Sequence, residues 1–167
     1  MYSVTLAWQE NREIHTRTIT ENDYTLRPQR IIIGRGEEKE CDIILKHSDP
    51  TIIKTVSKTH LEIFYDQEKN KLFAQNLTKN RQPPKQPNPI IINGKKIIHD
   101  ILEIHKKTVI KLGKITLVVR NIELPDRTGE YIVKCSGQKK HILPPEYEGL
   151  NCPYCGYVVF TGTTLKS

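Results

Sequence analysis

The sequence predicts an all-β protein, built as a β-sandwich followed by a small second β module. Short runs of β-branched and aromatic residues alternate with turn residues along most of the chain, and isoleucine dominates these runs. No segment shows the 3.6-residue apolar repeat with capping residues that marks an amphipathic helix. Three of the four cysteines follow residue 130 and set the last part of the chain apart. A length of 167 residues suits one medium domain and one small one.

The strand pattern is clearest in the first part of the chain. Strands are predicted at residues 2–8, 13–19, 30–33, 42–45, 61–65, 72–75, 101–104, 108–112 and 115–119, together with a hairpin over 90–98. Asn93-Gly94 suits the type I′ turn of that hairpin. Residues 79–88 contain three prolines, which excludes a strand interior or a helix there.

A change of pattern divides the chain into parts. Residues 1–122 are predicted to form the sandwich and 123–129 a linker. Residues 130–161 are predicted to form the second module, and 162–167 a frayed tail.

The basic character of the protein lies wholly in the sandwich. Residues 1–122 hold 21 Lys and Arg against 14 Asp and Glu, which accounts for the net charge of +7, whereas residues 123–167 are neutral. A basic surface suits an anionic partner such as a phosphopeptide, a nucleic acid or an acidic lipid. Its alternative is a plain solvated lysine surface.

Neither a membrane span nor a signal peptide is evident. No apolar stretch approaches the roughly 20 residues of a membrane span, and the N-terminus lacks the basic and apolar regions of a leader. We therefore expect a soluble, cytoplasmic protein with no membrane partner. Thiols stay reduced in such a compartment, so the cysteines are expected to bind a metal rather than form disulfides.

Polar residues with hydrogen-bond donors stand at the ends of three predicted strands. Gly34-Arg35 closes one strand, Ser57-Lys58-Thr59-His60 leads into another, and residues 76–80 (NLTKN) leave a third. Arginine presents a planar fork of N–H groups to phosphate oxygens, and serine, lysine and asparagine add further donors. These are the donors that a phosphate group needs.

Taken in order, these motifs resemble the forkhead-associated (FHA) domain, a β-sandwich that reads phosphothreonine peptides. The matching segments are Gly34-Arg35, Cys41-Asp42-Ile43, Ser57-x-x-His60, Asn76-Leu77-Thr78-Lys79-Asn80, Ile92-Asn93-Gly94 and Leu112-Gly113, over roughly residues 1–122. The resemblance implies an FHA-type sandwich, in agreement with the strand pattern.

The resemblance also implies which residues bind the phosphopeptide. Arg35 and Ser57 are expected to bond the phosphate, and Lys58 to add charge beside them. Lys79 is expected to touch the phosphate, and Asn80 to bond the peptide main chain. Ordinary alternatives exist: Arg35 as a surface arginine beside a turn, Ser57 as a turn serine that bonds its own backbone, and Lys58 as a solvated lysine.

Four residues are expected from the same resemblance to support the binding loops structurally: Gly34, His60, Asn93 and Gly94. His60 is expected to hold neighbouring loops by hydrogen bonds rather than to act as a general base. Asn93-Gly94 is a hairpin turn first, with no direct ligand role. The chain departs from the family pattern after Asn80, where Arg81 replaces a glycine and the proline-rich insertion intervenes.

The second module carries a metal-ligand pattern that resembles a zinc ribbon. Cys152-Pro153-Tyr154-Cys155-Gly156 is a knuckle whose two thiolates can converge on one tetrahedral ion. Cys135 supplies a third ligand, and His141 is the nearest residue for the fourth. We predict one structural zinc ion. The alternatives are a ribbon that has lost its metal, or a rubredoxin-like iron site.

The sequence thus predicts a phosphothreonine-peptide-binding adaptor in serine/threonine-kinase signalling, whose partner is a phosphorylated protein, a kinase or a kinase substrate. One alternative is a scaffold that recognises its partner without phosphate. Another is nucleic-acid binding through the basic sandwich surface, which the neutral second module does not favour. No paired carboxylates in a pocket-like context, Ser-His-Asp set or open metal site supports an enzyme.

Overall fold

The computed structural model of the chain describes residues 1–126 and 131–164, except for the side chains at 131–132 and 160–164. The fold forms two compact units, Met1–Leu124 and Pro125–Ser167. Residues 127–129 of the expected linker and 165–167 of the expected tail lie outside the described residues. The structure is nearly all β, which confirms the predicted fold class.

The first unit contains eleven strands and one short helix. The strands are β1 (Ser3–Glu10), β2 (Glu13–Thr20), β3 (Arg30–Gly34), β4 (Ile43–Ile44), β5 (Leu61–Asp66), β6 (Lys71–Asn76), β7 (Ile90–Ile92), β8 (Lys95–Ile97), β9 (Leu102–Glu103), β10 (Val109–Leu112) and β11 (Ile115–Glu123). Because β11 continues to Glu123, the expected linker does not begin at residue 123.

These strands form two sheets. One is six-stranded in the order β2-β1-β11-β10-β7-β8, and the other is five-stranded in the order β4-β3-β5-β6-β9. All neighbouring pairs are antiparallel except β3 and β4, which are parallel. Along β6, β10 and most of β11, alternate residues are buried in a shared aliphatic core, as the period of two along a strand requires. That core includes Val4, Leu6, Ile31, Ile33, Leu61, Ile63, Leu117 and Val119.

A short helix, α1 (Pro50–Ile53), lies between β4 and β5. Asp49 caps it by accepting a hydrogen bond from the Thr51 main-chain nitrogen at 2.8 Å, and Pro50 occupies the first helical turn. Four residues are too few to produce a helical repeat in the sequence, so periodicity could not reveal this element.

The strand register brings three loops to one end of the five-stranded sheet. Ile33 pairs with Leu61, and Leu61 pairs in turn with Asn76. The end of β3, the start of β5 and the end of β6 therefore lie side by side. The β3–β4, β4–β5 and β6–β7 loops leave the sandwich from this end.

The second unit is built on a three-stranded antiparallel sheet. Its strands are β12 (Tyr131–Cys135), β13 (Ile142–Leu143) and β14 (Val159–Thr164), in the order β13-β12-β14. Residues 162–164, expected in a frayed tail, belong to β14 because they pair with the start of β12. Among the side chains of this unit that the structure describes, the buried cluster comprises Val133, Cys135, Leu143, Cys152 and Val159.

Among the described residues, none forms a helix that is long and apolar enough to cross a membrane.

Candidate functional site

Arg35 joins the β3–β4 loop to the β4–β5 loop. Its main-chain nitrogen donates to the carbonyl oxygen of Ser57 at 3.1 Å, and its side-chain Nε donates to the carbonyl oxygen of Val56 at 2.7 Å. The residue is exposed, and within the described part of the chain its two terminal nitrogens have no hydrogen-bond partner. The guanidinium is therefore fixed at one edge and open to a ligand at the other.

Gly34 permits this close approach of the two loops. A Cβ atom at this position would lie 2.0 Å from the carbonyl oxygen of Lys58, which is far inside van der Waals contact. The same carbonyl accepts the main-chain N–H of Gly36 at 2.9 Å. Lys58 itself presents an exposed side chain beside Arg35 in the paired loops.

Ser57 is 5% exposed and bonded from two sides. Its main-chain nitrogen donates to Nδ1 of His60 at 3.2 Å, and its Oγ accepts from Nδ2 of Asn88 at 2.9 Å. The hydroxyl of Ser57 therefore lies where the β4–β5 loop meets the β6–β7 loop, within the segment that bonds Arg35.

His60 is fully buried and links the same two loops. Its Nε2 lies 3.0 Å from the carbonyl oxygen of Asn88, and its Nδ1 accepts from Ser57. Both contacts are satisfied by a neutral ring with its proton on Nε2. Burial lowers the pKa of His60, against the opposing effect of hydrogen bonds to Asn88 and Pro89, which favours this neutral form.

Asn88 is the centre of this polar network, and sequence reasoning did not single it out. Its main-chain nitrogen donates to Oγ1 of Thr78 at 2.8 Å, and its main-chain carbonyl oxygen accepts from Nδ2 of Asn76 at 2.7 Å. Asn76 and Thr78 are buried. One sequence signal could have pointed to Asn88. It stands directly before Pro89, just ahead of β7, in a segment with no periodic pattern.

Lys79 and Asn80 lie at the start of the β6–β7 loop. Lys79 is half-buried, and its Nζ donates to Oε1 of Gln75 at 3.0 Å. Asn80 is exposed. Among the described residues of this loop, it is Asn88 that bonds Ser57. In the same described part of the chain, Asn80 does not take part in the network.

Asn93 and Gly94 form the β7–β8 turn, at the other end of β7 from Asn88. Both have positive φ angles, 48° and 82°, as the type I′ turn requires. Asn93 exchanges two hydrogen bonds of 2.9 Å with the main chain of Val109, the first residue of β10. The structure therefore does not bring this pair to the three loops that it was expected to support.

In the second unit, Cys135, His141, Cys152 and Cys155 converge. Their ligand atoms all lie within 4.8 Å of one another. Sγ of Cys135 lies 3.6 Å from Sγ of Cys155 and 3.6 Å from Nδ1 of His141, which is also 3.5 Å from Sγ of Cys152. This group is close enough to hold one metal ion, as the spacing of the sequence predicts.

Local backbone geometry explains why these four residues meet. Cys135 ends β12, and His141 directly precedes β13, whose pairing with β12 brings the two together. The main-chain nitrogen of Gly156 donates to the carbonyl of Cys152 at 2.8 Å with a φ of +74°, which closes the knuckle. A Cβ at Gly137 would lie only 3.1 Å from Sγ of Cys155, so a small residue is favoured beside the sulfurs.

The first unit is thus a β-sandwich whose connected loops present an open arginine and a buried serine. Residues 31–113 match the family model of the FHA domain. The chain therefore belongs to the family of FHA-domain proteins. No curated protein matches it.

Solved structures of FHA domains share this fold. The kinase-interacting FHA domain of a kinase-associated protein phosphatase from Arabidopsis is 18% identical with a TM-score of 0.53, and the match covers 75% of this chain and 97% of that one. An FHA domain of a hypothetical protein from Arabidopsis thaliana is 20% identical with a TM-score of 0.53, covering 74% and 89%. An FHA domain from Chlamydia trachomatis is 17% identical with a TM-score of 0.50, covering 72% and 98%.

Proposed function

We propose that the protein is a non-catalytic adaptor that binds phosphothreonine peptides through the three connected loops of its FHA domain. The observation that carries this proposal is the pose of Arg35. Its Nε is held by the carbonyl oxygen of Val56, and its terminal nitrogens have no hydrogen-bond partner among the described residues. A charge-assisted pair with a phosphate dianion is the interaction that such a guanidinium supports best.

The other donors follow from the same loops. Ser57 offers its hydroxyl, and the exposed ammonium of Lys58 adds positive charge one residue further on. Lys79 and Asn80 stay as proposed contacts to the phosphate and the peptide main chain, from the neighbouring β6–β7 loop.

A link to serine/threonine kinases is part of the proposal. The Arabidopsis phosphatase domain with the same fold interacts with a kinase. A protein that binds phosphothreonine depends on a kinase that phosphorylates its partner. We therefore propose that this protein acts downstream of such a kinase, in the cytoplasm.

The test is an oriented phosphothreonine-peptide library screened with the wild type and with Arg35→Ala. Arg12→Ala removes the same charge from the exposed β1–β2 turn and serves as the matched control. We expect enrichment of phosphothreonine peptides by the wild type and Arg12→Ala, and loss of it in Arg35→Ala. Phosphoserine peptides should bind more weakly by on the order of 1 kcal/mol, since a methyl group is missing.

Two outcomes would contradict this function. Equal binding of phosphorylated and phosphatase-treated partners would indicate a scaffold that ignores phosphate. Binding of DNA or RNA with a steep salt dependence, unaffected by Arg35→Ala, would indicate a nucleic-acid surface instead.

For the second unit we propose one structural zinc ion held by Cys135, His141, Cys152 and Cys155. Bonds of about 2.3 Å to sulfur and about 2.05 Å to nitrogen place tetrahedral ligands about 3.8 Å (S–S) and about 3.6 Å (S–N) apart. The observed separations of 3.6 Å and 3.5–3.6 Å fit this geometry. Four protein ligands leave no open position for catalysis.

The size of the unit also favours a structural ion. A unit of about forty residues is too short to be stabilised by a hydrophobic core alone, without a metal or a disulfide. Metal analysis of the purified protein should find one zinc per chain. Bound iron would give a coloured protein and support a rubredoxin-like site, and absence of metal with unchanged folding would refute both.

A further inference from the structure

The carboxamide of Asn88 has one possible orientation. Its Nδ2 lies 3.0 Å from the main-chain carbonyl of Thr55 and 2.9 Å from Oγ of Ser57. A carbonyl oxygen only accepts hydrogen bonds, so the group that faces Thr55 must be the amide nitrogen. The same nitrogen faces Oγ of Ser57, and an amide nitrogen donates hydrogen bonds but does not accept them.

The hydroxyl of Ser57 is therefore an acceptor toward Asn88. A serine hydroxyl carries one proton and two lone pairs, and the bond from Asn88 uses a lone pair. Within the described residues, no protein acceptor takes the remaining proton. That proton is left for a bound anion.

Asn88 is itself held firmly from the other side. Its main-chain carbonyl oxygen accepts hydrogen bonds from His60 and Asn76, and its main-chain nitrogen donates to Thr78. The backbone of Asn88 can hardly move without disrupting buried polar groups, which is costly, and the bond to Thr55 holds the carboxamide in turn. The proline-rich segment thus brings a fixed amide against the β4–β5 loop.

We infer that Asn88 is a positioning residue that fixes the Ser57 hydroxyl as a hydrogen-bond donor toward a phosphate group. The inference rests on the proposed phosphate-binding function. Preorganised donors lose little freedom when the ligand binds, so Asn88 contributes affinity through Ser57. It also gives the insertion between β6 and β7 a role in the site.

A double-mutant cycle tests the inference. Asn88→Leu, Ser57→Ala and the double variant are compared with the wild type by titration with a phosphothreonine peptide taken from the library, and with inorganic phosphate followed by amide NMR shifts. Asn88→Asp keeps the size of the side chain but turns an amide donor into an acceptor. Gln86→Glu adds the same charge at an exposed position of the same loop and is the matched control.

We expect Asn88→Leu and Ser57→Ala each to weaken binding about 10-fold, and the double variant to lose little more than either alone. Asn88→Asp should weaken binding more than Gln86→Glu, because Ser57 would then donate to the carboxylate. Additive losses of about 100-fold in the double variant, or wild-type affinity in Asn88→Leu, would overturn the inference and leave the function standing.

The outcomes separate the two claims. If the wild type binds inorganic phosphate but no phosphopeptide, the proposed function fails and the cycle measured with phosphate decides the role of Asn88. If neither ligand shifts the wild type, both claims are refuted. Should Asn88→Leu fail to fold, as judged by its NMR spectrum, Asn88→Asp and its double variant with Ser57→Ala replace it.

Discussion

Val56 accepts a hydrogen bond from Nε of Arg35 across 2.7 Å, so the main chain of one binding loop holds the guanidinium of another. The next residue, Ser57, is bonded to the carboxamide of Asn88 from the third loop. Arg35 and Ser57, the two principal donors proposed for a phosphate, are thus fixed before any ligand arrives. Such preorganisation lowers the entropy that binding must overcome.

Arg35→Lys should bind phosphothreonine peptides almost as poorly as Arg35→Ala. Lysine lacks the planar fork, and its single ammonium cannot bond Val56 and a phosphate in the same way. We expect a loss of about 2 kcal/mol, or roughly 30-fold in Kd, measured by isothermal titration. Wild-type affinity in Arg35→Lys would show that only the charge matters.

Gly34→Ala should destabilise the first unit by at least about 2 kcal/mol, because the new Cβ would overlap the Lys58 carbonyl. Gly94→Ala is the matched comparison, since nothing lies within 4 Å of its Cβ but its φ is +82°. The strain there should cost only about 1 kcal/mol. Urea denaturation measures both, and equal losses would contradict the steric argument.

His60 should make the first unit less stable in mild acid. Its pKa is lowered in the fold from an ordinary value of 6.5, mainly by burial, so the unfolded chain binds more protons below that value. The contribution of neutral His60 is present above about pH 6.5 and is lost as the pH falls toward the lowered folded pKa. Denaturation curves recorded from pH 7.5 to 5 should show this decline.

A non-titrating variant separates His60 from the other groups. His60→Gln should lower stability at neutral pH, yet its stability should change less between pH 6.5 and 5 than that of the wild type. His99→Gln removes an exposed histidine and should leave the pH dependence unchanged. If the stability of His60→Gln fell with pH as steeply as that of the wild type, groups other than His60 would cause the decline.

Cys155→Ser should abolish metal binding and unfold the second unit, because it removes one of four converging ligands. Cys41→Ser is the control, since Cys41 lies in the first unit, where its thiol donates to the carbonyl of Lys58. Metal content and the NMR signals of residues 131–164 report the outcome. Full zinc occupancy in Cys155→Ser would exclude this ligand set.

The predicted fold was confirmed because strand periodicity is encoded in neighbouring residues. Alternating aliphatic side chains in β1, β5 and β11 reveal a buried face over a few positions. The glycine that ends β3 and the arginine that follows it likewise mark the start of a loop by local chemistry. Metal-ligand spacing needed only residue types, and the structure brings the four predicted residues together.

Other features depended on contacts between distant parts of the chain. Asn88 and Ser57 are 31 residues apart, and nothing near Asn88 in the sequence indicates that its amide faces that hydroxyl. The same applies to Asn93, which bonds the β10 main chain 16 residues further on. Periodicity cannot describe a loop, because loop conformation is set by what packs against it.

By itself, the sequence determined the β-sandwich, the donor-rich ends of its strands and the cysteine-histidine set, since these follow from residue types at short range. The tertiary structure decided which donors meet. The pairing of Ile33 with Leu61 and Leu61 with Asn76 brings three loops to one end of a sheet. Only there can an asparagine from a proline-rich insertion orient the serine beside Arg35.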